Sequence, residues 1–148
     1  MTDWREATAA DVPAVVAMLA DDMLGAAREG AELAPYLAAF DEMERQGNNA
    51  LIVGTRGERI VATYQITILH GLAMRAARRA QIEAVRVVAD LRSHGVGAEL
   101  MADAEARARA AGCRLMQLTT NKARTRAHAF YDRLGFTPSH IGYKRELD

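Results

Sequence analysis

Cysteine occurs once among the 148 residues, as Cys113, so the chain cannot close an internal disulfide. Cysteine and histidine also never stand at metal-ligand spacing, and the two absences together point to a reducing, cytoplasmic setting without a metal. No stretch of about 18 apolar residues occurs, which leaves no candidate membrane span. The opening Thr2-Asp3-Trp4-Arg5-Glu6 lacks the apolar core of a secretory signal. Charge of one sign is not in excess either, since 19 lysines and arginines face 19 aspartates and glutamates. A balanced chain has no overall basic field, so neither nucleic acid nor membrane is expected as a partner. No lysine precedes a serine or threonine, which excludes a P-loop.

What is present reads as one domain, residues 1–148, with a single core. Val12, Val15, Val16 and Leu19 recur at helical spacing behind Thr8 or Asp11 as N-cap, with Pro13 in the first turn. A second helix is read from Leu33 to Gln46, with Leu37, Phe40 and Met43 on one side, and Gly47-Asn48-Asn49 stops it. The period then changes. Leu51-Ile52-Val53 and Ile60 to Ile68 are β-rich runs on either side of Arg56-Gly57-Glu58-Arg59, a hairpin signal. After a basic connector, Arg75 to Arg79, the run Gln81 to Val88 reads as a further strand. Strict alternation along it places Glu83, Val85 and Val87 on one face and Ile82, Ala84, Arg86 and Val88 on the other. A helix over Gly95 to Ala111, about 25 Å long, follows. Leu115 to Thr119 is then a strand, parallel to the previous one if the helix is a crossover. Arg126 to Leu134 reads as a helix closed by Gly135, and Ile141 to Leu147 as a last strand.

The passage Arg92-Ser93-His94-Gly95-Val96-Gly97 joins a strand to a helix. Such a junction aims unpaired N–H groups, and the positive end of the helix dipole, at whatever lies in the turn. Gly95 and Gly97 have no Cβ to hold a diphosphate off the main chain, and Arg92 adds a charged donor. Taken alone, the two glycines are equally consistent with a plain connection. A dinucleotide fingerprint is set aside, because position 100 is leucine where a third small residue is needed, and the chain does not open with a βαβ unit.

Three segments then follow in order: Ile82-Glu83-Ala84-Val85-Arg86-Val87, Arg92-x-x-Gly95-x-Gly97-Ala98 and Ala127-x-x-Phe130-Tyr131-x-x-x-Gly135-Phe136. With the opening Trp4-Arg5-Glu6-Ala7-Thr8-x-x-Asp11, they resemble the GNAT superfamily of acyl-CoA-dependent N-acetyltransferases over essentially the whole chain. The resemblance implies an α+β fold in three layers, with a mixed, mostly antiparallel central sheet whose parallel pair splays at the acyl-CoA site. It implies that Arg92, Ser93, His94, Gly95, Val96, Gly97 and Ala98 seat the pyrophosphate of acetyl-CoA. The pantetheine arm would run along Val85, Val87 and Val88 as a pseudo-strand. Ser93 stands where the family commonly has glycine, and His94 where it often has lysine or arginine, which makes the turn less basic. The asparagine usual seven residues before the tyrosine is Arg124 here, and Asn121, three residues earlier, is the candidate to take over its cofactor contact.

Acetyl transfer to an amine needs a group to take the amine proton and one to stabilise the departing thiolate. Glu83 is the candidate base, a carboxylate between Ile82 and Ala84 whose burial would raise its pKa toward a useful range. The competing reading pairs it structurally with Arg86 or with an arginine of the 75–79 connector. Tyr131 is, by the resemblance, the acid that protonates the thiolate, with Phe130, Leu134 and Phe136 as core around it. Lys122, Arg124 and Arg126 form a basic patch, either a solvated loop or an attraction for the CoA phosphates. Asp21, Asp22, Tyr36 and Glu42 on the first two helices either hold a cationic amine or form a charged helix face. The expected acceptor is a primary amine of a small molecule, amino acid or peptide. Edge pairing through Ile141 to Leu147 leaves a homodimer open, and a non-catalytic CoA-binding sensor of the same fold is the alternative function.

Overall fold

A computed structural model, which describes residues 1–21, 29–30 and 32–148, places five strands in one sheet. They are β1 (Asp3–Glu6), β2 (Asn49–Arg56), β3 (Arg59–Leu69), β4 (Arg79–Val87) and β5 (Leu115–Leu118), neighbours in that order. The first four pair antiparallel, and the hairpin signal is realised as Arg56 opposite Arg59 with Gly57 at φ +62°. β4 and β5 form the parallel pair, so the mixed sheet matches the expectation. The helices are α1 (Val12–Ala20), entered through a 3₁₀ turn at Ala9–Asp11, α2 (Ala34–Gln46), α3 (Val96–Ala110) and α4 (Thr125–Arg133). The chain divides into two compact units, Met1–Gln117 and Leu118–Asp148.

Each face of the sheet in the first unit is covered because its apolar residues alternate in register. Ile52 pairs with Tyr64, Ile66 with Ile82 and Ile68 with Ala80, and this face meets α3 through the fully buried Leu100 and Ala104. Tyr64 is wholly buried there, and its hydroxyl donates to Asp103 of α3 at 2.6 Å. Burial first, then that carboxylate, push the Tyr64 phenol far above its usual range, so it stays neutral. Gly54 lies opposite Trp4, and a Cβ at Gly54 would fall 2.6 Å from the indole, so only glycine allows the ring to lie over β2. On the opposite face Val53 packs with Ala7, Val12, Val15 and Phe40, the apolar stripes of α1 and α2.

Three expectations are corrected. In β4 the alternation fails at Ala84, which sits at φ +52°. The register jumps from Gln65 opposite Glu83 to Thr63 opposite Arg86, so two residues of β4 face one of β3. Glu83 and Arg86 therefore share a face, and Ile82 and Val87 share the other. The Arg75 to Arg79 connector is also more than a loop, since Met74, Arg75 and Ala76 form a left-handed turn at φ +56°, +58° and +58°. Finally, no strand forms over Ile141 to Leu147. Among the described residues no main-chain hydrogen bond involves residues 140–148, and without a neighbouring ladder the segment stays irregular, with Ile141, Tyr143 and Leu147 exposed.

Candidate active site

The glycine turn takes its shape from two left-handed residues, Ser93 at φ +66° and Gly95 at φ +85°, the second serving as N-cap of α3. Val96 is buried and anchors the helix start, and the first bond into the helix runs from the Glu99 N–H to the Gly95 carbonyl at 3.1 Å. The N–H groups of Val96, Gly97 and Ala98 precede that bond and lack intrahelical acceptors. Among the described residues no atom beyond its chain neighbours and the helix's own backbone comes within 4 Å of where a Cβ would sit on Gly95, so the turn is open there and suits a diphosphate. A bidentate Arg59–Asp90 pair at 2.6 and 3.0 Å holds the entry to the turn, and Arg59 keeps the Asp90 carboxyl below its usual range.

Arg92 is not the outward donor that its place in the turn suggested. Its Nε donates to the Val87 carbonyl at 3.1 Å and its Nη2 to the Asp21 carbonyl at 3.2 Å, with the Asp21 carboxylate at 3.7 Å. The guanidinium thus ties the end of β4 to the end of α1. Ser93, His94 and Ala98 are exposed, and Val85 and Val87 on the last rungs of β4, with Val88 just past them, are half-buried. The Arg114 N–H donates to the Arg78 carbonyl at 2.9 Å, so β4 and β5 start together. β4 has nine residues and β5 four, so β4 continues past its neighbour toward the turn. That is where a pseudo-strand would be accommodated.

Glu83 lies on this extension and is exposed, so the burial invoked for it is absent. By alternation with Ile82 it stands on the face away from α3, directly across from Gln65. Among the described residues no arginine of the 75–79 connector lies within ion-pair distance of its carboxylate, and Arg86 shares its face. The face around it is polar. Gln65 donates to Asn49 at 2.9 Å, Arg79 to Gln117 at 3.2 Å and Gln117 to Gln81 at 2.7 Å. Sequence reasoning overlooked these amides, although Arg79, Gln81 and Glu83 at spacing two were a readable polar stripe. Of the acceptor candidates, Tyr36 donates to Glu29 at 2.8 Å and exposed Glu42 lies 3.6 Å from Arg45, a helix-surface pair. Asp22 lies outside the described residues.

In the second unit Tyr131 is half-buried on α4, with its ring 5.3 Å from Phe130 and 5.7 Å, edge-on, from Phe136. These contacts fix its ring, and Gly135 at φ +88° turns the chain so that Phe136 can return to it. The Asn121 carboxamide oxygen accepts from the Ala123 N–H at 2.9 Å, and its main-chain oxygen lies 3.0 Å from His128 Nε2. Among the described residues nothing engages the Asn121 Nδ2, which is left to reach a ligand.

A sheet with its parallel pair beside a glycine turn and a following helix defines a class, the acyltransferase fold. The acetyltransferase (GNAT) family model matches residues 15–136, and the chain belongs to that family. A crystal structure of a transcriptional regulator from Bacillus halodurans C-125 is 43% identical, with 99% of this chain and 100% of that one covered and a TM-score of 0.95. A provisionally named acetyltransferase from Agrobacterium tumefaciens str. C58 is 26% identical, covering 98% and 99%, with a TM-score of 0.86. Over 67 residues the chain is 39% identical to an aminoalkylphosphonate N-acetyltransferase of Salmonella typhimurium (strain LT2). That match spans 45% of this chain and 44% of the relative, less than half of its length.

Proposed function

We propose that the protein is a single-domain, cytoplasmic N-acetyltransferase that moves an acetyl group from acetyl-CoA to a primary amine by direct attack. The observation that carries the proposal is the open cradle at Gly95, with the N–H groups of Val96, Gly97 and Ala98 behind it, at the end of a strand that outruns its neighbour. The turn Ser93 through Ala98 seats the pyrophosphate on the N–H groups of Val96, Gly97 and Ala98 while Arg92 braces it from behind, Val85, Val87 and Val88 line the pantetheine arm, and the Asn121 Nδ2 adds a donor. Bound there, acetyl-CoA supplies an activated thioester carbonyl. Glu83 takes the proton from the amine, directly or through a water, as the C–N bond forms. Tyr131 gives its hydroxyl proton to the sulfur as the C–S bond breaks.

The name of the Salmonella relative supports a small amine as acceptor. The name of the Bacillus halodurans structure favours a second reading, a CoA-binding regulator without turnover. Thiol release from acetyl-CoA across a panel of amines separates the two. Transfer to at least one amine is expected; tight acetyl-CoA binding with no transfer to any would favour the regulator.

A further inference from the structure

On the sheet face away from α3, Arg79, Gln81 and Glu83 follow one another at every second position of β4, and Gln117 of β5 adjoins them. Arg79 Nη1 donates to Gln117 Oε1 at 3.2 Å, and Gln117 Nε2 donates to Gln81 Oε1 at 2.7 Å. A guanidinium can only donate. The Gln117 oxygen must therefore face Arg79, its NH₂ must face Gln81, and the Gln81 oxygen must face Gln117. What remains is the Gln81 NH₂, which has no hydrogen-bond partner among the described residues. Half-buried Arg79 likewise has no carboxylate within ion-pair reach among them. Each bond in such a chain polarises the next, so the positive charge of Arg79 is felt at the Gln81 amide.

One rung further along β4 the bias reverses. Gln65, across from Glu83 in the register, donates through its NH₂ to Asn49 at 2.9 Å, and its carbonyl oxygen has no hydrogen-bond partner among the described residues. The face thus offers acceptors at Glu83 and Gln65, and donors at Gln81 about 7 Å away along the strand. We propose that this row selects the acceptor substrate. Glu83 and Gln65 take the amine, while the Arg79–Gln117–Gln81 relay takes an oxyanion, such as a carboxylate, phosphonate or sulfonate, two or three carbons away. The substrate class is a short amine carrying an acid group. Gln81 touches that group, and Arg79 acts through the amides as a positioning residue. This inference rests on the transferase reading.

The test compares thiol release with propylamine, 3-aminopropanoate and 2-aminoethanesulfonate. The parent should prefer the two acids over the neutral amine by about tenfold or more in kcat/KM, and Gln81→Leu should bring that ratio near one. Arg79→Met should lower the ratio about threefold through KM, and Arg79→Lys, which still donates, should restore much of it. Separately, the Gln81 side-chain NH₂ resonance of the parent should move on titration with propanoate and not with propylamine. Where turnover occurs, a parent ratio near one overturns the proposal. If no amine is acetylated, the transferase reading fails, and the resonance alone then decides whether the oxyanion subsite stands or falls.

Discussion

Asp11 shows how much one side chain can carry at the residue scale. Its carboxylate accepts from Nη1 and Nη2 of Arg5, at 2.7 and 3.0 Å, and from the Thr8 N–H at 2.8 Å, closing the entry to α1. These bonds, the Arg5 one foremost, lower its pKa from 3.8 to about 2. A carboxyl depressed on folding stabilises the fold above its unfolded pKa, and that contribution is lost as pH falls toward the folded value. Asp11→Asn should therefore cost about 1–2 kcal/mol at pH 7 and reduce the loss of stability between pH 4 and 2. Urea unfolding at both ends of that window checks it, and an unchanged acid limb would refute the assignment. In catalysis, Glu83→Gln should lower kcat about 100-fold and flatten the acidic limb of the rate profile. Tyr131→Phe should lower kcat while acetyl-CoA binding, followed by calorimetry, is retained. The Glu83 carboxylate and the Thr8–Asp11 cap were legible as residue types at set spacings. The partners of Arg92 were not, because Val87 and Asp21 reach it only through folding.

Elements were legible wherever local periodicity and the final packing agree. α2 ends at Gly47 in the left-handed conformation, and α3 ends just before Gly112, as the glycines signalled. β4 departs from this because its bulge is centred on an alanine, a residue that sends no turn signal. A one-residue insertion of this kind moves each later side chain to the opposite face. That is why Arg86 joins Glu83, against the simple alternation. The left-handed turn at 74–76 was equally hidden, since none of its residues is glycine. An exposed non-glycine residue held there is strained. Met74→Gly should relieve that strain in excess of the flexibility it adds to the unfolded chain, raising Tm by about 2 °C. A lower Tm on thermal unfolding would show that the turn is not strained.

At the scale of the whole molecule, β5 carries the chain from Met1–Gln117 into Leu118–Asp148 as one strand. We take residues 1–148 as a single cooperative domain, and the exposed Ile141, Tyr143 and Leu147 as the contact of a homodimer. Calorimetry should then give one transition whose midpoint rises with protein concentration. Two transitions would divide the domain, and a concentration-independent midpoint would leave a monomer. The strands from β2 to β5, the hairpin at Gly57, the glycine turn before α3 and the resemblance to the family were determined by the sequence alone. They depend on periodicity, on glycine where the backbone turns left-handed, and on residues close together in the chain. Tertiary structure alone decided which side chains share a face with Glu83. Gln65, Gln81, Arg79 and Gln117 come from three strands, and they meet only after strand order and register have been set by packing against the helices on either side.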